Sequence, residues 1–202
     1  MENNNLSIKE NSELRRDARE QLRGNWLTAV LLCVIYTIVS GILGQIPYLG
    51  YPLTMLIAGP FMLGLVSCFM HLVRHEPFMF ENLFDGFKKF VPALLLQIIM
   101  SIFIFLWSLL LIVPGVIAAL SYSMSFYILN DNSEMSAMEA LSASKEMMMG
   151  YKSKLFMMML LFAGLSILSV ITCFIGMLWI TPYMQTSMAN FYQNLKENQK
   201  TL

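Results

Sequence analysis

Residues 25–73 read NWLTAVLLCVIYTIVSGILGQIPYLGYPLTMLIAGPFMLGLVSCFMHLV and contain no Lys, Arg, Asp or Glu. A helix that crosses a bilayer needs about 20 apolar residues, because each residue advances the helix by about 1.5 Å. This run is therefore long enough for two crossings joined by a tight reversal. Residues 90–130 and 155–195 are also free of these four residue types. The three runs predict three hairpins, and hence about six transmembrane helices.

The composition of the chain favours the same fold class. Its 202 residues are 57% hydrophobic and 13% charged, whereas an ordinary soluble domain is about a quarter charged. We therefore predict an all-α fold, a polytopic membrane helical bundle that forms one integral membrane domain over residues 1–202. Residues 1–25 are polar and precede an apolar segment of full bilayer length, which is unlike a cleavable signal peptide. Cys33, Cys68 and Cys173 stand singly in the apolar runs, and we interpret them as buried apolar side chains.

The charged residues are confined to four segments, residues 1–24, 74–89, 131–154 and 196–202. These segments hold all 13 Lys and Arg residues and all 13 acidic residues. Because basic residues near short loops are retained on the cytoplasmic side, both termini are predicted to be cytoplasmic. We expect residues 1–24 to be an amphipathic segment, 74–89 and 131–154 to be inner-surface helices, and 196–202 to be a cytoplasmic tail. The formal net charge of zero argues against nucleic-acid binding, which needs an excess of basic residues.

The three hairpins also suggest an internal repeat. Gly24, Gly86 and Gly150 are almost evenly spaced, and each follows a charged stretch and precedes an aromatic residue by one or two positions. Every hairpin carries a proline near its second span; these prolines are Pro60, Pro114 and Pro182. Self-similarity at a fixed period is the sequence signature of a repeat architecture. The pattern predicts three hairpin repeats.

The first three charged segments show helical periodicity. Apolar residues recur at helical spacing in three stripes, which are Leu14, Ala18 and Leu22; Phe80, Leu83, Phe84 and Phe87; and Met135, Met138 and Leu141. Ser136 and Glu139 have the spacing of a capping box. Such helices either lie in the lipid headgroup layer or pack under the bundle, and we favour the headgroup layer.

Few residues suggest chemistry. His71 and His75 are four residues apart and could share one cation, but a zinc site needs a third protein ligand and the chain has no other histidine. We therefore predict no metal site, with this pair as a weak candidate. No nucleophile and base pair stands out, and no glycine-rich phosphate loop is present, so we predict no cofactor and no enzymatic activity.

Several polar side chains lie within the predicted spans or at their ends. This candidate interaction site comprises Gln97, Tyr122, Ser123, Ser125, Asn130, Asp131 and Gln185. We interpret most of them as interhelical hydrogen-bonding groups; the alternative is that they line a substrate path. Asp131 has two interpretations of its own. Either Asp131 or a neighbouring residue caps the following helix, which we favour, or Asp131 provides a charged contact for a cation, a headgroup or a partner.

The same stretch of chain resembles a known family. Residues 109–152 read LLLIVPGVIAALSYSMSFYILNDNSEMSAMEALSASKEMMMGYK and contain a PG break, a SYSM stretch, a DN turn, EAL and S-x-x-M-M-x-G. The blocks IAGPFMLG, ENLFDGFK and LWITPYMQTSMANFYQNL extend the likeness over nearly the whole chain. In these motifs the chain resembles the bacterial domain-of-unknown-function 975 family of multi-pass integral membrane proteins. The resemblance implies a bacterial cytoplasmic-membrane protein and brings no established activity.

Three functions remain open at this point. The leading hypothesis is a non-enzymatic protein that acts through contacts with the lipid bilayer, with another membrane protein or with a second copy of itself. The first alternative is a small permease or transporter accessory subunit. The second is an immunity or resistance factor against a membrane-active toxin.

Overall fold

The computed structural model describes residues 8–44, 50–132, 134–172 and 174–200, and in this part of the chain all regular structure is helical. The α-helices are α1 Asn11–Leu22, α2 Trp26–Gly44, α3 Gly50–Val73, α4 Phe90–Leu110, α5 Ile112–Tyr122, α6 Ser125–Asp131, α7 Ala137–Met147, α8 Lys152–Ser169 and α9 Met177–Lys200. The 3₁₀ helices are Phe80–Lys89 and Val170–Thr172. Cys173 and most of the predicted first hairpin tip, residues 45–49, lie outside the described residues.

Four helical segments of the described chain are long and apolar enough to cross a membrane. They are Leu53–Val73, Phe80–Leu110, Ile112–Asp131 and Lys152–Thr172. A fifth is added if Asn11–Leu22 and Trp26–Ile42, which meet at a bend of 99°, are taken as one broken span. The all-helical fold with several membrane-spanning candidates is therefore confirmed, whereas the count of six and the threefold repeat stay predictions. α9 is absent from the set because amides and charges follow its apolar first half, as at Asn190 and Lys196.

The chain order of the helices is also reflected in their packing. α2 packs on α3, α4 on α5, and α8 on α9, while α3 also contacts α4, α6 and α9. The break between α4 and α5 falls at Leu111, so Pro114 lies in the first turn of α5, where proline is tolerated. α3 is therefore the central helix, and α9 returns to it from the far end of the sequence.

Two of the three repeat glycines have equivalent backbones. Gly24 and Gly150 adopt positive φ angles of 90° and 82°, which favour glycine, at the ends of helical segments. Gly86 instead lies inside the Phe80–Lys89 3₁₀ helix, where this helix crosses α3 with the two backbones in contact. A Cβ atom on Gly86 would lie 1.9 Å from the Pro60 carbonyl oxygen, and one on Gly64 would lie 1.8 Å from the Leu83 carbonyl oxygen.

The charged segments pack against the bundle more than the sequence suggested. In α1 the predicted stripe is buried, at Leu14, Ala18 and Leu22. In the 3₁₀ helix the burial falls on Leu83 and Gly86 while Phe84 is exposed, because the period is three residues and not 3.6. In α7 Met138 is exposed, whereas Leu141 of the predicted stripe is buried together with the small residues Ala140 and Ser144. Small side chains let α7 approach α4, α5 and α6 closely.

Ser144 of α7 stabilises the break between α5 and α6. Its hydroxyl group donates a hydrogen bond of 2.8 Å to the Ser121 carbonyl oxygen. The Met124 backbone N–H donates to the same hydroxyl at 3.2 Å. Both polar groups are buried, and in an apolar surrounding an unpaired backbone group is costly. One side chain therefore pairs two backbone groups at this interruption.

Candidate functional site

A buried carboxylate lies where α3, α6 and α9 meet. Asp131 is the last residue of α6, and its side chain is only 3% exposed. The Arg74 guanidinium donates to Asp131 Oδ2 at 2.7 Å, and the Lys196 ammonium pairs with the same oxygen. The Tyr192 hydroxyl group also donates to Oδ2, at 3.0 Å. We refer to these four residues as the Asp131 cluster.

The cations of the Asp131 cluster are held by further contacts. The Arg74 guanidinium also donates to Gln193 Oε1 at 3.2 Å, and Gln193 Nε2 donates to Glu197 at 2.9 Å. Burial lowers the pKa of Arg74, but the hydrogen bond and the charge of Asp131 offset this, so that the pKa lies above its usual value. The other carboxylate oxygen, Asp131 Oδ1, is buried and accepts no hydrogen bond from the described residues.

A third cation stabilises the end of α6. The Lys89 ammonium donates to the carbonyl oxygens of Leu129 and Asn130, at 3.0 Å each. These carbonyls belong to the last turn of α6, where a cation also interacts favourably with the helix dipole. The ends of α3, α6 and α9, and the start of α4, thus meet at one end of the bundle, which we call the charged end.

The favoured interpretation of Asp131 as a helix cap is wrong. The N-cap of α7 is Ser136, and it forms the predicted capping box with Glu139: Ser136 N–H donates to the Glu139 carboxylate at 2.8 Å, and Glu139 N–H donates to the Ser136 hydroxyl at 3.4 Å. Asp131 makes its contacts with side chains far away in the sequence instead. The alternative interpretation, that Asp131 makes a charged contact, describes its surroundings better. Its observed partners are side chains of this protein and not an external cation, headgroup or protein.

The remaining polar residues of the candidate interaction site do not converge. Gln97 donates to Ser101 one turn along the same helix, and Ser123 donates to the Leu120 carbonyl oxygen. The Ser125 hydroxyl is buried without a hydrogen-bond partner among the described residues, and the Tyr122 ring packs against an aromatic side chain of α4. Gln185 lies half-buried in α9. The hydrogen bonds of Gln97 and Ser123 are thus local, and not the interhelical bonds that the sequence suggested.

The two histidines do not form a pair on one helix face. α3 ends at Val73, and His75 adopts a positive φ of 58° in the turn that follows. His71 Nδ1 lies 2.9 Å from the Ser67 carbonyl oxygen, and Nε2 lies 3.3 Å from the Glu76 carboxylate. No group of three or more His, Cys, Asp or Glu side chains in the described parts of the chain could hold a metal ion.

A polar recess of about 630 Å³ opens at the charged end between α1 and α9. No spacing pattern in the sequence predicts this recess. Its walls carry charges and amides, among them Asp17, Glu20 and Arg23. Gln21 and Asn190 close one side through a reciprocal pair of amide hydrogen bonds, at 3.1 and 2.7 Å. Polar side chains that converge on one cavity are typical of a binding site for a polar group.

Comparison with known proteins gives one match. A family model described as Protein of unknown function (DUF975) matches residues 1–121 and 109–199. No curated protein and no solved structure matches the chain.

Proposed function

This chain belongs to the DUF975 family, and we propose that it is a non-enzymatic, multi-pass protein of the bacterial cytoplasmic membrane. In this proposal it acts through contacts with lipid or with another membrane protein, which includes a second copy of itself.

The observation that carries the proposal is the exposed apolar surface of α4 and α8. In the candidate span that contains α4, only 11% of the most apolar stretch is buried inside the protein, and in the span of α8 only 22% is buried. The corresponding share for the span of α3 is 61%. The exposed residues are large and apolar, such as Leu109, Phe156 and Leu168. Contiguous apolar surface of this extent is unfavourable in water and indicates contact with lipid or with another protein. A partner protein that covers α8 should then co-purify in stoichiometric amount in a mild detergent.

The proposal includes six spans and a cytoplasmic location for the charged end. It is supported by the placement of α2 beside α3 and of α9 beside α8, and by the gathering of Arg74, Lys89 and Lys196 at one end. Basic residues at that end favour retention on the cytoplasmic side. Counting α2 and α9 as spans, together with the four segments that are apolar enough by themselves, gives six.

Cysteine labelling tests this topology at exposed positions. In a background without the three native cysteines, Leu111→Cys and Ile175→Cys should react with an impermeant thiol reagent added to intact cells. Ser12→Cys, Glu81→Cys and Ser142→Cys, also at exposed residues, should react only after lysis. Labelling of the second group in intact cells would overturn the proposed orientation.

The polar recess favours one alternative, a small permease or transporter accessory subunit. A cavity of about 630 Å³ is large enough for a small solute, and its amides could bind an uncharged polar one. Solute flux into liposomes that contain only this chain tests the alternative. The leading proposal predicts no flux above that of protein-free liposomes, and flux that a substitution such as Asn190→Leu abolishes would favour the permease.

A further inference from the structure

A groove runs along the exposed face of α5 towards the start of α8. From its shape and charge we propose that this groove binds an anionic phospholipid, with the phosphate between Lys145 and Lys152 and an acyl chain along α5. This inference rests on the proposed membrane function and specifies one of its lipid contacts.

The groove consists of two adjoining cavities of about 360 and 410 Å³. Ile117 and Lys152 line both of them, so the two cavities are neighbours along α5. The walls are mainly apolar and include Trp107, Val116 and Phe156. α5 has 11 residues, which corresponds to a length of about 16 Å. A groove of this length and character fits a large part of an acyl chain.

Two lysines line the groove, one of them at the junction of the two cavities. Lys145 is in the last turn of α7, and Lys152 is the first residue of α8. Neither makes an ion pair or a hydrogen bond within the described residues. The other lysines with described side chains all do; they are Lys9, Lys88, Lys89, Lys154 and Lys196. The charge of the two groove lysines is therefore uncompensated by the described part of the chain.

An anionic phospholipid matches both parts of this groove. The ammonium groups of Lys145 and Lys152 can pair with a phosphate, and basic pockets between membrane helices are suited to lipid headgroups. Ser121, whose hydroxyl group is buried in the lining, already donates to the Ile117 carbonyl oxygen and needs no partner from a ligand. A small soluble anion would leave the apolar walls unoccupied. The ligand should therefore carry both a phosphate and a hydrocarbon chain.

Lipid titration of the full chain tests this site. The detergent-purified protein is titrated with phosphatidylglycerol and with phosphatidylcholine of the same acyl chains, and the bound lipid is counted by native mass spectrometry. We expect the wild-type protein to prefer phosphatidylglycerol. The double variant Lys145→Gln/Lys152→Gln should bind it about 25-fold more weakly, from roughly fivefold for each lysine.

Two controls test whether lipid binding depends on these two lysines and not on the overall positive charge, and whether the acyl chain is required. Arg16→Gln/Lys88→Gln removes two exposed positive charges away from the groove and should leave the preference unchanged. Glycerol phosphate, which has no acyl chain, should not compete with the lipid.

Two results would overturn the site: equal binding of both lipids by the wild-type protein, or an equal loss of binding in the two double variants. Competition by glycerol phosphate would overturn the acyl-chain part and show a simple anion site. If the protein inserts into membranes but shows no preference, the lipid site fails while the proposed function stands. If it does not insert, both fail. Thermal unfolding in detergent checks that each variant is folded.

Discussion

Neutralising Asp131 should destabilise the protein strongly, because its carboxylate compensates two cations. Asp131→Ala and Asp131→Asn both leave Arg74 and Lys196 without their negative partner, and these side chains are only 26% and 29% exposed. Breaking a buried ion pair by removing one member costs about 3 to 5 kcal/mol. Since both cations can still reach some water, we expect a loss of about 2 to 3 kcal/mol. For a chain of this size this corresponds to a fall in Tm of roughly 5 to 10 °C.

Thermal unfolding of the detergent-purified protein measures this loss, and Asp131→Asn is the informative variant. Asparagine caps a helix as well as aspartate does, so a capping role would leave Asp131→Asn as stable as the wild type. The matched control is Asp17→Asn, which removes the carboxylate partner of two exposed cations, Lys9 and Arg16. Exposed pairs contribute about 0 to 1 kcal/mol, so the control should change the Tm by a few degrees at most.

A double-mutant cycle identifies the cause of the loss. If the cost comes from the uncompensated Arg74 guanidinium, adding Arg74→Gln to Asp131→Asn should cost less than Arg74→Gln costs in the wild-type background. A coupling energy of about 1 to 3 kcal/mol is expected for residues in direct contact. Wild-type stability of Asp131→Asn, or additive effects in the cycle, would refute the ion-pair account.

Three further predictions concern packing and capping. Gly86→Ala should lower the Tm by many degrees, because the new Cβ atom would lie 1.9 Å from a carbonyl oxygen of α3. Gly164→Ala is the control and should be tolerated, because a Cβ atom at Gly164 would have no other atom within 4 Å. Thermal unfolding of the two variants measures the difference in Tm. Ser144→Ala should cost about 1 to 3 kcal/mol in the same assay, since it leaves the buried Ser121 carbonyl and Met124 N–H without this hydroxyl. Hydrogen bonds from the backbone and side chain of the α7 N-cap lower the pKa of Glu139. The Glu139 carboxylate therefore contributes its full stabilisation above its unfolded pKa of about 4.5, and this stabilisation is lost as the pH falls through the lower folded pKa. Glu139→Gln should abolish this part of the pH dependence of the Tm.

The sequence predicts local features of this protein well. The break near Pro114, the buried stripe of α1 and the capping box of α7 each depend on residues a few positions apart, and the structure confirms them. The predicted stripe of residues 80–87 is wrong at Phe84, which is exposed because the segment has a period of three residues and not 3.6. Contact between the backbones of the 3₁₀ helix and α3 favours the tighter form, and only the neighbouring helix reveals it.

The partners of Asp131 could not be predicted in this way. Arg74 and Lys196 are 57 and 65 residues from Asp131 in the chain, and no spacing rule connects them. The only relevant pattern in the sequence is that every charged residue lies in one of four segments, which are predicted to lie on the same side of the membrane. That pattern indicates that opposite charges will be close together, but which cation reaches which carboxylate depends on how α3 and α9 pack beside α6.

The bundle is unevenly packed. The spans of α3 and of α5–α6 have 61% of their most apolar stretch buried, and the Asp131 cluster joins α3, α6 and α9 at the charged end. The span of α8 is only 22% buried. Its start is tied to the N-terminal segment by polar bonds, from the Lys154 ammonium to the Ile8 carbonyl oxygen at 2.7 Å and from Asn11 Nδ2 to the Lys154 carbonyl oxygen at 2.8 Å. α8 is thus fixed at one end and weakly packed along its length, so a phospholipid in the α5–α8 groove would supply the apolar contacts that the protein itself does not.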